Sequence, residues 1–92
     1  MARETGVFAI SVVAEMVAMP AQNLRVYERH GLVDPDRTTG GTRRYSPADV
    51  DRLRHIRDLL AAGLNLAGVA RVLALEARVA RLEAECERLR RR

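Results

Sequence analysis

Apolar positions along this chain recur at three different spacings, and each spacing predicts a different element. In residues 10–17, Val13, Met16 and Val17 fall on one face at intervals of three and four, the period of an amphipathic helix. Ser11 is placed to cap its first turn. Ala18 and Met19 leave room for a tight turn, and Pro20 can open a second helix because its missing N–H costs nothing there. In that helix Leu24 and Tyr27 form the inward stripe while Gln22, Arg25 and Arg29 face outward. His30 and Gly31 then end it, since glycine tolerates the left-handed conformation of many helix ends.

The period next shortens. Thr38-Thr39-Gly40-Gly41 predicts a hairpin turn, with Arg43, Arg44 and Tyr45 on the returning strand. Alternate strand residues share a face, so Arg43 and Tyr45 should stand side by side and Arg44 opposite. Guanidinium and phenol groups both donate to phosphate oxygens. After the hairpin, Ser46-Pro47-Ala48-Asp49 is a helix start: Ser46 caps, Pro47 fits the first turn, and Asp49 lies near the positive end of the helix dipole. Val50, Leu53, Ile56 and Leu60 then repeat at helical spacing and should cover the first two helices. Arg52, Arg54 and Arg57 lie off that stripe, on a face expected to be solvated. Gly63 should end this helix and Asn65 should cap the next.

Towards the C-terminus the pattern becomes linear. Val72, Leu75, Val79, Leu82, Cys86 and Leu89 alternate spacings of three and four, a heptad seam with Val72, Val79 and Cys86 at one core position and Leu75, Leu82 and Leu89 at the other. Ala74, Ala77, Ala80 and Ala84 add helix propensity. An apolar stripe on a lone helix requires a partner. Parallel pairing would bring Arg78 near the partner's Glu83, and antiparallel pairing would bring it near the partner's Glu85, so the seam leaves orientation open. The whole predicts a mainly α fold: a winged helix-turn-helix domain in residues 1–73, then a dimerisation coiled coil in residues 74–92 whose seam begins near residues 69–72.

Composition narrows the function. Ninety-two residues accommodate one small domain and an appendage, with no room for a large substrate pocket. All 16 basic residues are Arg against 12 acids, for a net charge of +4, so the local placement of charge must carry the argument. Arg is the better bidentate reader of phosphates and base edges. Gln22, Asn23 and Arg25, outward on the second helix, suit the base edges of a major groove, since amides pair with adenine and guanidinium with guanine. Arg25 can equally clamp the backbone. Arg37, Arg43, Arg44 and Tyr45 should grip phosphates beside that helix, and the hydroxyl of Tyr27, otherwise a core residue, is a further candidate.

One cysteine excludes an intramolecular disulfide and a multi-thiolate metal site, and no cofactor is expected. Cys86 reads as a small seam residue, with an inter-chain disulfide as the other option. His30 and His55 have no acid, nucleophile or metal-ligand partner at a telling spacing, so no catalytic constellation is seen. No charged leader with an apolar core precedes the domain, and the longest charge-free run, residues 59–70, is too short to span a bilayer. A cytoplasmic, nucleoid-associated protein is expected.

Residues 8–73, about 70% of the chain, carry a stronger resemblance. Leu24-Arg25-Val26-Tyr27-Glu28-Arg29-His30-Gly31-Leu32, then Pro35-Asp36-Arg37, then Gly41-Thr42-Arg43-Arg44-Tyr45-Ser46-Pro47-Ala48-Asp49-Val50-Asp51-Arg52-Leu53 keep the order and spacing of the DNA-binding region of the mercury-resistance-regulator (MerR) family. Within it, Ala21-Gln22-Asn23-Leu24-Arg25 and Thr38-Thr39-Gly40-Gly41 look most like the heat-shock repressor branch. Departures are Val26 and Thr42, where many members have aromatic residues, and Pro20, which replaces the usual Ser or Thr cap.

The resemblance implies a homodimeric regulator, a repressor in that branch, that binds and distorts inverted-repeat promoter DNA. It implies an antiparallel coiled coil with heads at opposite ends, and adds Arg57 to the DNA-binding set. Sensor domains follow the coiled coil in the family, whereas this chain ends at Arg90-Arg91-Arg92. Control is therefore expected from a protein partner, from cooperativity on DNA or from abundance, with a chaperone co-repressor as the heat-shock branch implies. The other functions compatible with the residues are an architectural DNA-bending protein of excisionase type and a coiled-coil adaptor for acidic protein surfaces.

Overall fold

A computed structural model describes residues 6–92, built from α1 (Ile10–Val17), α2 (Ala21–Arg29), β1 (Asp36–Arg37), β2 (Arg43–Arg44), α3 (Pro47–Ala61) and α4 (Leu66–Arg90). The fold is mainly helical, a helix-turn-helix followed by a small two-stranded wing and a long C-terminal helix. Val13 and Val17 of α1, Leu24 and Tyr27 of α2, Val50, Leu53 and Ile56 of α3, and Val69 and Leu73 of α4 join one core with Met19, Leu32, Val33 and Tyr45. Burying each large aliphatic side chain stabilises the fold by about 1.5–3 kcal/mol.

Helix boundaries follow local chemistry, with some departures from the sequence expectation. Ser11 does not cap α1; Ala9 holds the cap position and offers no side-chain hydrogen bond, so Ser11 lies one residue inside the helix. Met16 is exposed rather than on the inward face, because eight residues leave α1 a narrow buried stripe filled by Val13 and Val17. Pro20 is the cap residue of α2 rather than its first helical residue and supplies no side-chain acceptor.

Three helix ends share one device. One or two residues past each end the chain adopts positive φ, Ala18 at 56°, Gly31 at 73° and Gly63 at 103°. In each, the next N–H reaches back to the last turn: Met19 to Ala14, Leu32 to Tyr27 and Leu64 to Leu59. This is a Schellman closure, which satisfies otherwise orphaned carbonyls.

α3 starts with a full capping box: the Ser46 hydroxyl accepts from the Asp49 N–H at 3.0 Å, and the Asp49 carboxylate accepts from the Ser46 N–H at 2.9 Å. Asn65 caps α4 by accepting from the Gly68 N–H at 2.8 Å. The wing pairs Asp36 with Arg44 and Arg37 with Arg43, closed by a turn in which Gly41, and not Gly40, takes positive φ. An unanticipated segment joins it: Phe8 bridges Tyr45 through backbone bonds of 2.8 and 2.9 Å. Gly6 is held where a Cβ would lie 2.3 Å from the Arg44 carbonyl oxygen, so only glycine fits this approach.

Past Leu73, α4 leaves the core. Leu75, Val79, Leu82 and Leu89 are each at least half exposed and Cys86 is exposed, while Val72 is half-buried at the base. At 1.5 Å per residue the helix is about 37 Å long and unbroken.

Candidate nucleic-acid interface

α2 presents its outer face because Leu24 and Tyr27 fix its rotation against the core. Gln22 and Asn23 are exposed and Arg25 is half-buried at its edge. The Asn23 side chain is hydrogen-bonded to the Tyr27 hydroxyl one turn on, and burial is the main reason the Tyr27 phenol titrates above its ordinary value. The Asn23 amide, a candidate for base contact, is therefore partly oriented from within its own helix.

The wing is bound to α2 through one carboxylate. Glu28 Oε2 accepts from Arg37 Nη2 at 2.5 Å, and Glu28 Oε1 accepts from Arg43 Nε. Arg37 Nη1 also donates to the Gly41 carbonyl at 3.1 Å, which ties the side chain to the turn. Burial alone would raise the Glu28 pKa, but hydrogen bonds and charge from Arg43 and then Arg37 outweigh it, and the carboxyl sits below its ordinary value. The hydrogen bond to Glu28 in turn holds the Arg43 guanidinium protonated. Glu28 was not among the residues expected to matter; its role depends on Arg37 and Arg43 folding onto it from the wing.

Tyr45 requires correction as a phosphate ligand. It is fully buried, and its hydroxyl has no hydrogen-bond partner among the described residues. Desolvation first, and the nearby Glu28 charge second, raise its pKa, against Arg43 and Arg25. Arg43 and Tyr45 do share a strand face, but that face looks at α2 instead of solvent. Arg44 is half-buried on the opposite face.

Arg57 lies at the other end of the helix pair. Its Nη1 donates to the Val17 carbonyl at 3.1 Å, against the turn that precedes α2. Arg52 likewise donates to the Leu32 carbonyl just beyond α2. Arg52 is exposed and Arg57 partly exposed, as expected of this flank, and each is in addition anchored to a backbone carbonyl at a helix end. His55 also has an unexpected neighbour, its Nε2 lying 2.8 Å from Glu76 Oε1 across α3 and α4.

Cations thus bracket α2, Arg57 near its start and Arg37 and Arg43 near its end, over nine residues or about 13 Å. A B-form major groove is about 12 Å wide between its phosphate walls. An exposed polar helix with guanidinium groups at both ends matches that dimension.

A family model described as "MerR HTH family regulatory protein" matches residues 8–76. The chain belongs to the MerR family. Among its relatives is the Streptomyces coelicolor protein named "Putative heat shock protein HspR", 46% identical over 87 residues, or 94% of this chain and 58% of that protein. The chain thus spans little more than half of that relative. The MerR fold is also seen in MtaN, the N-terminus of the Bacillus subtilis multidrug transporter activator, at 26% identity and a TM-score of 0.69 over 90% of this chain and 88% of that one. HiNmlR, a MerR family regulator lacking the sensor domain and bound to promoter DNA, shares the fold at 21% identity and a TM-score of 0.65 over 91% and 76% of the two chains. No helix among the described residues is long and apolar enough to cross a membrane.

Proposed function

We propose that this MerR-family chain is a homodimeric repressor of heat-shock type that binds inverted-repeat promoter DNA in the bacterial cytoplasm. Gln22, Asn23 and Arg25 read base edges in the major groove, while Arg37, Arg43 and Arg44 on the wing, together with Arg57, hold flanking phosphates. The apolar face of α4, Val72, Leu75, Val79, Leu82, Cys86 and Leu89, pairs two copies so that protein symmetry matches the operator. Gripping both sides of each half-site on two heads supplies the leverage to bend the duplex between them. A chaperone acting as co-repressor is the form of control in keeping with the HspR relative.

The observation that carries this reading is the single carboxylate, Glu28, that locks the wing arginines to the end of the reading helix. Footprinting of purified protein on genomic promoter fragments tests it, followed by titrations at several salt concentrations. Arg43→Ala should lower the salt slope of log K by about 0.9, the loss of one phosphate contact. Arg25→Ala should cost about 1–3 kcal/mol of discrimination between operator and scrambled duplex. An unchanged salt slope would exclude the wing from the interface, and binding that ignores sequence in the parent protein would exclude operator recognition.

A further inference from the structure

We infer that Arg52 is a positioning residue for operator binding: it touches no DNA, and through the Leu32 carbonyl it holds the loop that joins the reading helix to the wing. The inference rests on the operator-binding reading above and adds one residue to it.

α2 is weakly fastened by its own sequence. Its cap residue, Pro20, offers no side-chain acceptor, and its nine residues bury only Leu24 and Tyr27. The backbone on either side of it is fastened by α3 instead. Arg57 Nη1 donates at 3.1 Å to the carbonyl of Val17, the last residue of α1, and Arg52 Nε donates to the carbonyl of Leu32, just beyond α2.

The two arginines are five residues apart on α3, about 7.5 Å along its axis and about 140° around it. They leave the helix on opposite sides of the buried stripe of Val50, Leu53 and Ile56. One helix thereby fixes both the turn that enters the reading helix and the loop that leaves it.

The Leu32 contact falls where it bears on DNA. Residues 30–35 are the whole connection between α2 and β1, and Leu32 and Val33 are buried within it. The Leu32 N–H donates to the Tyr27 carbonyl of α2 at 2.9 Å, while the Leu32 carbonyl accepts from Arg52 of α3. A single peptide residue thus joins the reading helix to its brace. Glu28 ties the wing to α2 from the strand side, and Arg52 ties the same connection from the loop side. If the loop is released, helix and wing must be brought into register each time they meet a duplex, and that ordering is a cost of binding.

The chemistry of Arg52 agrees. Its α3 neighbours Arg54 and Arg57 each lie against an acid, Asp51 and Asp58. The partner of Arg52 among the described residues is a backbone carbonyl, so it acts here as a hydrogen-bond donor rather than as a paired charge.

Arg52→Met and Arg52→Lys are compared with the parent, as full chains, on the duplex protected in the footprint and on a scrambled duplex of equal length. Methionine keeps most of the stem and removes every donor, and lysine restores one. Circular dichroism first shows that each protein is folded under the binding conditions. Arg52→Met should bind the protected duplex about fivefold more weakly, the loss of one ordinary hydrogen bond. Its affinity for the scrambled duplex should stay within about twofold of the parent, and its salt slope should not change, because no phosphate contact is lost. Arg52→Lys should recover most of the operator affinity.

Parental affinity in Arg52→Met overturns the assignment, as does an Arg52→Lys variant no better than it. A salt slope lowered by about 0.9, or an equal loss on both duplexes, makes Arg52 a phosphate contact and overturns it too. If Arg52→Met does not fold, the parent decides by NMR. The Arg52 Nε–H proton should be protected from exchange in free and duplex-bound protein, and exchange at the solvent rate in the complex overturns the role. A parent that prefers neither duplex refutes the operator reading itself.

Discussion

Glu28 on α2 and Arg43 on the wing are in direct contact, and the second carboxylate oxygen closes on Arg37 at 2.5 Å. Two elements that each carry candidate DNA contacts are thereby held at one angle by a residue that itself repels DNA. Coulomb's law alone says that neutralising Glu28 should tighten binding to a polyanion. The geometry says the opposite, because an unanchored wing must be ordered each time DNA binds. Glu28→Gln keeps the side-chain length but turns an amide NH2 towards a guanidinium. Operator affinity should fall on the order of tenfold, about 1.4 kcal/mol, and urea unfolding should show about 1–2 kcal/mol less stability. Tighter binding would show that the wing is placed by something else.

The same carboxylate makes a signed prediction about pH. Its pKa in the folded chain lies below the ordinary 4.5, so the unfolded chain binds the proton more readily. The stabilisation is therefore complete above about pH 5 and is lost as pH falls through 4.5 towards the folded value. Urea midpoints of parent and Glu28→Gln should differ at pH 7, and the gap should narrow as the buffer is taken below pH 4.5. A gap that stays constant over that range would mean the ion pairs contribute nothing.

Tyr45 offers a test in which loss of a polar group should help. Its ring is fully buried and its hydroxyl finds no acceptor or donor among the described residues. A buried hydroxyl without a partner is unfavourable, so Tyr45→Phe should raise stability by about 1 kcal/mol and leave operator affinity and salt slope unchanged. If binding weakens, the phenol leaves the core to meet phosphate, and the interface described for the wing is incomplete.

Much of this architecture was legible because its determinants are local. Helix spacing gave the buried stripes of α2 and α3. Ser46, Asn65, Gly31 and Gly63 marked helix ends through bonds that span only a few residues. What escaped was long-range. The Phe8–Tyr45 bridge and the Arg57–Val17 latch join residues about 40 positions apart, and no local period encodes such a meeting. Tyr45 shows the limit of alternation: it placed Arg43 and Tyr45 on one face correctly, but a two-residue strand is too short to say which face turns inward. Glu28 escaped for a related reason, since its role exists only once Arg37 and Arg43 fold back onto α2.

Ala18 is the one helix-closing residue of three that lacks glycine's freedom. Its φ of 56° puts a Cβ in the left-handed region, where Gly31 and Gly63 carry none. The conformation costs an L-residue about 1–2 kcal/mol, and the closure that compels it is complete, with the Met19 N–H bonded to the Ala14 carbonyl at 3.0 Å. Ala18→Gly removes the strain but adds about 0.4–1 kcal/mol of unfolded-chain entropy. The net gain should be about 0.5–1 kcal/mol, a rise of roughly 2–8 °C in melting temperature for a domain of this size. Gly31→Ala and Gly63→Ala, made at the matching positions, should each lower it. Ala18 is exposed and precedes the reading helix by three residues, so operator affinity should stay at the parent value. A fall in melting temperature for Ala18→Gly would mean that the left-handed turn is not populated in solution.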